Sequence, residues 1–156
     1  MPSKSLTIPK LIATSVVRGS QQGDSHGGVY SIDFSNQNIT QHIDWNTINI
    51  DFSGRGWDRG LRGIEFYADR VYIAASDELF VYDQDFNLLN SHKNPFFKHC
   101  HEICRKDNIL FLTSTGFDSL LAFDLDTEVF SWGFYIEKKQ GEWQGQRFDP
   151  LSDKGP

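Results

Sequence analysis

The densest group of side chains that could do chemistry lies in one short stretch and consists of metal-ligand types: His99, Cys100, His101, Glu102 and Cys104. Imidazole, thiolate and carboxylate groups all bind transition metals. In an extended strand, alternation places His99 and His101 on one face and the two cysteines with Glu102 on the other. Neither face has zinc spacing, because the cysteines are not C-x2-C and the histidines have no third ligand nearby. A divalent metal completed by a distant carboxylate is one hypothesis, and a histidine pair that only forms hydrogen bonds is the alternative.

The second group is residues 51–62, which carry three arginines and three glycines. Planar guanidinium groups at Arg59 and Arg62 could bind a carboxylate or phosphate through two hydrogen bonds, while the glycines let the backbone approach a ligand. The alternative is that these arginines pair with acidic neighbours and hold a loop. The glycine spacing matches neither a dinucleotide-binding fingerprint nor a P-loop.

Two further polar groups have simpler interpretations. Residues 20–28 are predicted to be a mobile, solvated loop with Asp24, Ser25 and His26 at its centre. Adjacency alone does not make a catalytic Ser-His-Asp set, because such residues must converge in space. The aspartates that follow apolar stretches are predicted to cap turns, and these are Asp33, Asp83 and Asp124. The sequence assigns no catalytic residue.

Composition restricts the class of partner. The chain has 156 residues, with Lys+Arg 15 against Asp+Glu 21 and a formal net charge of -6. This sign opposes the neutralisation of many phosphates, so nucleic acid is excluded as the main partner. An aromatic share of 14% is too high for a disordered chain. The first residues contain no apolar run of signal-peptide or membrane-span length, so we expect a soluble, cytoplasmic protein with no membrane partner and two free thiols.

The elements that must position these side chains are strands. Apolar residues recur with a period close to two, in short stretches separated by Asp, Asn, Gly and Ser, which predicts an all-β fold. The predicted strands are 11–17, 29–34, 39–43, 64–67, 70–75, 78–82, 88–92, 102–105, 109–114, 119–123 and 129–135.

The predicted strands repeat along the chain. A unit that begins at Gly63 aligns with one that begins at Glu102, and this alignment places Ile73 on Phe111. A truncated third unit near the start lacks its first strand before Leu11. The offset of about forty residues is the period of a four-stranded propeller blade.

The recurring pattern resembles the β-propeller superfamily, in the broad group of NHL, gluconolactonase-like and quinoprotein-like repeats. It consists of an apolar strand, an Asp-Asn or Asp-Arg turn, a strand ending in Ser, an L-x-V/A-Y/F-D strand and a last strand. The resemblance covers residues 11–135 and implies four-stranded antiparallel blades, about three per chain. We accordingly divide the chain into an N-terminal extension at 1–10, a repeat domain at 11–136 and a polar tail or linker at 137–156.

In propellers of this kind, the segments that precede the first strand of each blade converge on a central channel. The resemblance therefore points to two lead-in segments, residues 57–63 and 96–102, and to ligand binding by Trp57, Asp58, Arg59, Arg62, His99, His101 and Glu102. The expected function is a binding module for a small molecule or a protein. The alternative is a hydrolase or lyase, with or without a metal, acting on a small polar or sugar-like substrate.

The number of blades poses a further question. Propellers usually close with four to eight blades, so about three cannot form a ring alone. The alternatives are a homodimer that completes the propeller, further blades outside this sequence, or a sheet arrangement that closes differently.

Overall fold

The computed structural model describes residues 10–21, 23–46, 60–152 and 154–155, and this part of the chain is all-β, which confirms the predicted class. Three antiparallel sheets follow one another along the chain, with three, four and five strands. We refer to them as the first, middle and last sheets. Among the described residues, no helix has the length and apolar character needed to cross a membrane.

Each sheet is a meander in which consecutive strands pair. The first sheet contains β1 (Leu11–Thr14), β2 (Gly28–Asp33) and β3 (Asn38–Asp44). The middle sheet contains β4 (Ile64–Tyr67), β5 (Arg70–Ala75), β6 (Glu78–Asp83) and β7 (Leu88–Lys93). The last sheet contains β8 (Ile103–Lys106), β9 (Ile109–Ser114), β10 (Ser119–Asp124), β11 (Val129–Lys139) and β12 (Glu142–Phe148), with a 3-10 turn at Thr115–Phe117. Every predicted strand has a counterpart within a few residues of its predicted bounds.

The prediction of a tail or linker is wrong for residues 142–148, because β11 continues to Lys139 and β12 pairs with it. Gln140 and Gly141 both have positive φ, as a two-residue hairpin turn of type I′ requires. Side chains of β12 are mostly exposed. The strand is therefore held by backbone hydrogen bonds at a sheet edge, and it has no buried face that an apolar alternation could reveal.

The two central strands of the middle sheet, β5 and β6, are buried on both faces. Alternate residues of β5 belong to two separate cores: Ile73 packs toward the first sheet, and Tyr72 packs toward the last sheet. The core shared with the first sheet contains Val29, Ile43, Trp45, Leu61, Val71, Ile73, Ala75, Phe80 and Tyr82. The core shared with the last sheet contains Tyr72, Ala74, Leu79, Val81, Phe97, Cys100, Ile103, Leu110, Leu112, Leu121, Phe123, Leu125 and Phe130.

The strand register corrects the alignment of the repeated units by one residue. Ile64 pairs with Ile73 in the middle sheet, and Ile103 pairs with Leu112 in the last sheet. Leu112, and not Phe111, is therefore the counterpart of Ile73. A one-residue slip moves a side chain to the other face of its sheet. The sequence alignment of the two units is wrong by one residue because β9 is apolar at successive positions, so alternation does not determine its register.

A polar seam joins the middle and last sheets at the protein surface. Glu128 accepts hydrogen bonds from the guanidinium of Arg70 and, at 3.2 Å, from Nε2 of His92. The Tyr67 hydroxyl donates to Oδ1 of Asp126 at 2.7 Å, and this bond raises the pKa of Tyr67 above its usual value. These contacts fix how the two sheets lie against each other around the buried core.

The same turn chemistry closes β2, β6 and β10, each of which ends in an aspartate. The carboxylates of Asp33, Asp83 and Asp124 accept hydrogen bonds from backbone N–H groups in the turns that follow. Hydrogen bonds from Asn36 to Asp33, from Asn87 to Asp83 and from Thr127 to Asp124 lower the pKa of each carboxyl. The predicted role as turn caps is confirmed.

These three caps should make the fold sensitive to acid. Their folded-state pKa values lie below the usual value of 3.8, so the stability they contribute is present above that pH and is lost as the pH falls through the folded-state values. We expect a variant with Asn at all three positions, which keeps an acceptor oxygen but cannot ionise, to lose less stability between pH 5 and about pH 2. Urea unfolding across that range measures the difference, and parallel pH profiles for the variant and the parent chain would contradict it.

Candidate functional site

The last residues of the two lead-in segments extend the first hairpins of the middle and last sheets. The Arg62 amide donates to the Ala74 carbonyl at 2.9 Å, and the Ala74 amide donates to the Gly63 carbonyl at 3.0 Å. In the last sheet, the Thr113 amide donates to the Glu102 carbonyl at 3.1 Å. Residues 62–63 and Glu102 are therefore held as continuations of β4 and β8, which contact each other.

Two glycines let the chain before β4 approach both neighbouring sheets closely. A Cβ at Gly63 would lie 2.7 Å from the backbone nitrogen of Ile103, and a Cβ at Gly60 would lie 2.5 Å from Cγ1 of Val16. Both distances are shorter than real Cβ contacts, so a side chain at either position would push the sheets apart. The absence of side chains at Gly60 and Gly63 thus sets the approach of the middle sheet to its two neighbours.

The contact that results joins Arg62 to His101. Arg62 Nη1 lies 3.2 Å from His101 Nδ1. Because a guanidinium only donates, Nδ1 must accept, which leaves the proton of the neutral ring on Nε2. The contact holds the imidazole in one tautomer and orientation at the meeting point of the two segments.

Thr113 of β9 orders the backbone beneath His101. Its hydroxyl oxygen accepts from the amides of His101 at 3.0 Å and Glu102 at 3.1 Å, and it lies 3.2 Å from the Glu102 carbonyl, to which it can donate. One side chain thereby satisfies two backbone donors that precede β8. The position of His101 therefore depends on a residue of the neighbouring strand as well as on its own segment.

All three sheets contribute to one cleft of about 200 Å³. Thr14 comes from the end of β1, and its hydroxyl donates to the Arg62 carbonyl. Arg62 precedes β4, while His101 and Glu102 precede β8. The cleft is lined by Thr14, Val16, Leu61, Arg62, His101 and Glu102. Since a water occupies about 30 Å³ of liquid, this volume is large enough for a small polar group.

Three of the predicted ligand-binding residues thus lie together, namely Arg62, His101 and Glu102. His99 does not line this cleft. It has positive φ, and its carbonyl accepts from Thr115 Oγ1 at 2.8 Å beside the 3-10 turn. Because residue 99 is not extended, the strand alternation expected to place it on one face with His101 does not apply. Trp57, Asp58 and Arg59 lie outside the described residues.

The backbone also separates the side chains of the predicted metal-ligand stretch. Cys100 is buried and bridges to Ser76 outside the named strands, whereas Cys104 is exposed on β8. Over the ranges that the structure describes, no three His, Cys, Asp or Glu side chains are placed so that they could hold one metal ion. The described part of the cleft offers His101 and Glu102 alone as ligand types.

The loop at residues 20–28 uses its polar residues separately. Ser20 Oγ lies 2.7 Å from His26 Nδ1, and both residues are buried. Asp24 accepts from the Gln21 amide at 3.0 Å, while Ser25 donates to a different carboxylate, that of Asp44. The predicted centre of the loop is therefore no Ser-His-Asp set, and Ser20 with His26 anchors the loop to the first sheet.

Sequence reasoning missed Thr14, Leu61 and Thr113 as parts of the site. Thr14 and Thr113 act through hydrogen bonds to residues far along the chain, which follow from strand register and carry no local motif. Leu61 is fully buried next to Arg62 and forms the apolar wall of the cleft. The sequence could have indicated Leu61 only through its location, because Leu61 lies within the lead-in segment 57–63.

Comparison with known protein families and with curated proteins finds no match for this chain, so its site is interpreted from its own geometry.

Proposed function

We propose that this chain is a binding module of the β-propeller type, whose three sheets are consecutive blades and whose cleft binds a small polar molecule carrying an anionic group. One observation carries the proposal. The ends or lead-in segments of all three sheets, which are far apart in sequence, supply Thr14, Arg62 and His101 to a single cleft.

The blade arrangement is supported by several shared features. All three sheets are meanders, the middle sheet packs face to face against both neighbours, and β4 lies beside β8. A strand ending in a turn-capping aspartate recurs in each sheet. The last sheet has a fifth strand at its edge, and the first sheet has no strand paired outside β1 among the described residues.

The lining suggests the class of ligand. A guanidinium forms charge-assisted hydrogen bonds with carboxylate or phosphate, and the Nε2–H of His101 adds a second donor. Glu102, on the same cleft, is an acceptor for a hydroxyl or ammonium group of the ligand. A small hydroxy acid such as malate, whose carboxylate accepts from Arg62 and whose hydroxyl donates to Glu102, fits this combination.

Binding of malate, succinate and inorganic phosphate tests the proposal by isothermal titration calorimetry. We expect Arg62→Ala to weaken malate binding about 10- to 150-fold, the loss of a charged hydrogen bond worth about 1.5–3 kcal/mol. Glu102→Gln should reduce the preference for malate over succinate, because succinate lacks the hydroxyl group.

The matched control is Arg105→Ala, since Arg105 also lies at the first hairpin of the last sheet but stacks on Tyr67 at 5.6 Å and does not line the cleft. Its binding should equal that of the parent chain. Arg62→Lys keeps the charge and separates a loss of binding from a loss of folding. Equal affinity in Arg62→Ala, or no binding of any probe, would rule the proposed site out.

A hydrolase or lyase acting at the same cleft is the second candidate. It is favoured by one observation, the presence of two general acid-base types, His101 and Glu102, on one small cleft. It predicts turnover of a small lactone or ester that His101→Ala abolishes, measured by proton release. Binding without turnover would leave the binding module as the function.

A further inference from the structure

The three stacked sheets leave two apolar faces exposed, one at each end. We define the forward face of the last sheet as the side opposite its core, where cross-strand pairs place Phe111, Leu120, Trp132, Phe134, Ile136 and Trp143. Leu120 is 37%, Ile136 42% and Trp143 72% exposed. We define the backward face of the first sheet as the side carrying Leu11, Ile32 and Ile39, which are in register, with Leu11 45% and Ile39 65% exposed.

The two exposed faces correspond to the two kinds of sheet face that already pack against each other inside the molecule, a forward face on a backward face. The forward face of the middle sheet carries Tyr72 and Val81, which pair across β5 and β6, and it packs on the backward face of the last sheet, represented by Leu112 and Leu121. The same relation joins the first sheet to the middle sheet. An exposed forward face at one end therefore has its structural complement in the exposed backward face at the other end.

We propose that a second copy of this chain covers both faces, with the forward face of each last sheet packed on the backward face of the other copy's first sheet. This inference rests on the blade arrangement in the proposed function. A twofold axis makes the two contacts identical and places six sheets in the ring, within the usual range of about four to eight blades for a propeller.

The forward face also has room for such a neighbour. A groove of about 770 Å³ runs between the β9–β10 connection and the β11–β12 hairpin, with Leu120, Ile136 and Trp143 among its lining residues. The ammonium of Lys138 lies 5.6 Å from the Trp143 ring, at the edge of this groove. The guanidinium of Arg147 lies 5.0 Å from the Trp132 ring on the same face. Apolar and aromatic side chains interleaved with arginine on an open face are typical of protein–protein contacts.

Light scattering during size exclusion measures the solution mass directly. We expect twice 17.9 kDa for the parent chain. Ile136→Glu on the forward face and Ile39→Glu on the backward face should each reduce the mass to one chain, because a buried unpaired carboxylate opposes both contacts. Leu89→Glu is the matched control: Leu89 is 54% exposed on β7, the outer edge of the middle sheet, and its variant should stay dimeric.

Each alternative outcome overturns the inference. A monomeric parent chain or an open series of larger assemblies would do so. A dimer broken by only one of the two variants would show like faces packing together. Circular dichroism and melting of each variant check its fold. Malate binding by monomeric Ile136→Glu separates this inference from the proposed function, since one chain forms the whole described cleft and should bind whether or not it dimerises.

Discussion

Replacing Phe123 with alanine is expected to lower the free energy of unfolding by about 3–5 kcal/mol, the usual loss for a fully buried aromatic side chain. Phe123 has no exposed surface and lies in the core between the middle and last sheets. Its ring centre lies 5.1 Å from that of Phe130, 4.9 Å from that of His92 and 6.4 Å from that of Tyr72. Truncation therefore removes contacts to both sheets and leaves a cavity between them.

This loss is large because a domain of this kind is stable by only about 5–15 kcal/mol. The urea unfolding midpoint measures it. Phe123→Leu, which fills most of the space, should lose less than Phe123→Ala, and Leu89→Ala at an exposed strand position should stay within about 0.5 kcal/mol of the parent chain. If Phe123→Ala unfolded at the same urea concentration as Leu89→Ala, the face-to-face packing of these sheets would be wrong.

The sequence could predict most strands because their apolar residues are needed for burial. The middle sheet shows this best: both faces of its two central strands are covered, so residues 71–75 of β5 and 79–82 of β6 are apolar at successive positions and are bounded by turn-forming Asp residues. β12 lacks that signal. It pairs only with β11 and exposes nearly all of its side chains, so only the Gln140-Gly141 turn marks the hairpin.

A period-two pattern of apolar residues cannot establish the register of a strand that is apolar on both faces. In β9, Leu110 and Leu112 face the core, whereas Phe111 lies on the opposite face and meets the Trp132 ring at 5.8 Å. Both sets of side chains are apolar, so shifting the strand by one residue leaves the hydrophobic pattern unchanged. The hairpin pairing of Ile103 with Leu112 distinguishes the two alignments.

The site was partly predictable for a different reason. Arg62 and His101 were found by position, since each lies two residues before the first strand of its sheet. His99 could not be placed, because its left-handed backbone breaks the alternation on which the expectation depended. Thr113 could not be found at all, because its role follows from hydrogen bonds that β9 makes with the lead-in segment beside it.

The two cysteines should differ strongly in reactivity. Cys100 is fully buried, its amide donates to the Ser76 carbonyl at 2.7 Å, and burial raises the pKa of its thiol to about 11. The thiolate is the reactive form, so at pH 8 only about one Cys100 thiol in a thousand is ionised. Cys104 is exposed on β8. We expect iodoacetamide to modify Cys104 in the native protein and Cys100 only after unfolding.

Mass spectrometry of the labelled protein measures this difference, with one modified thiol expected in buffer and two in urea. In Cys104→Ser, labelling in buffer should be at least about a hundredfold slower than in urea, because an unfolded cysteine has a pKa near 8.5. Rapid labelling of Cys100 in the native variant would show that the segment opens. Since Cys100 lies between His99 and His101, protection of its thiol would show that the backbone next to His101 is held closed without a ligand.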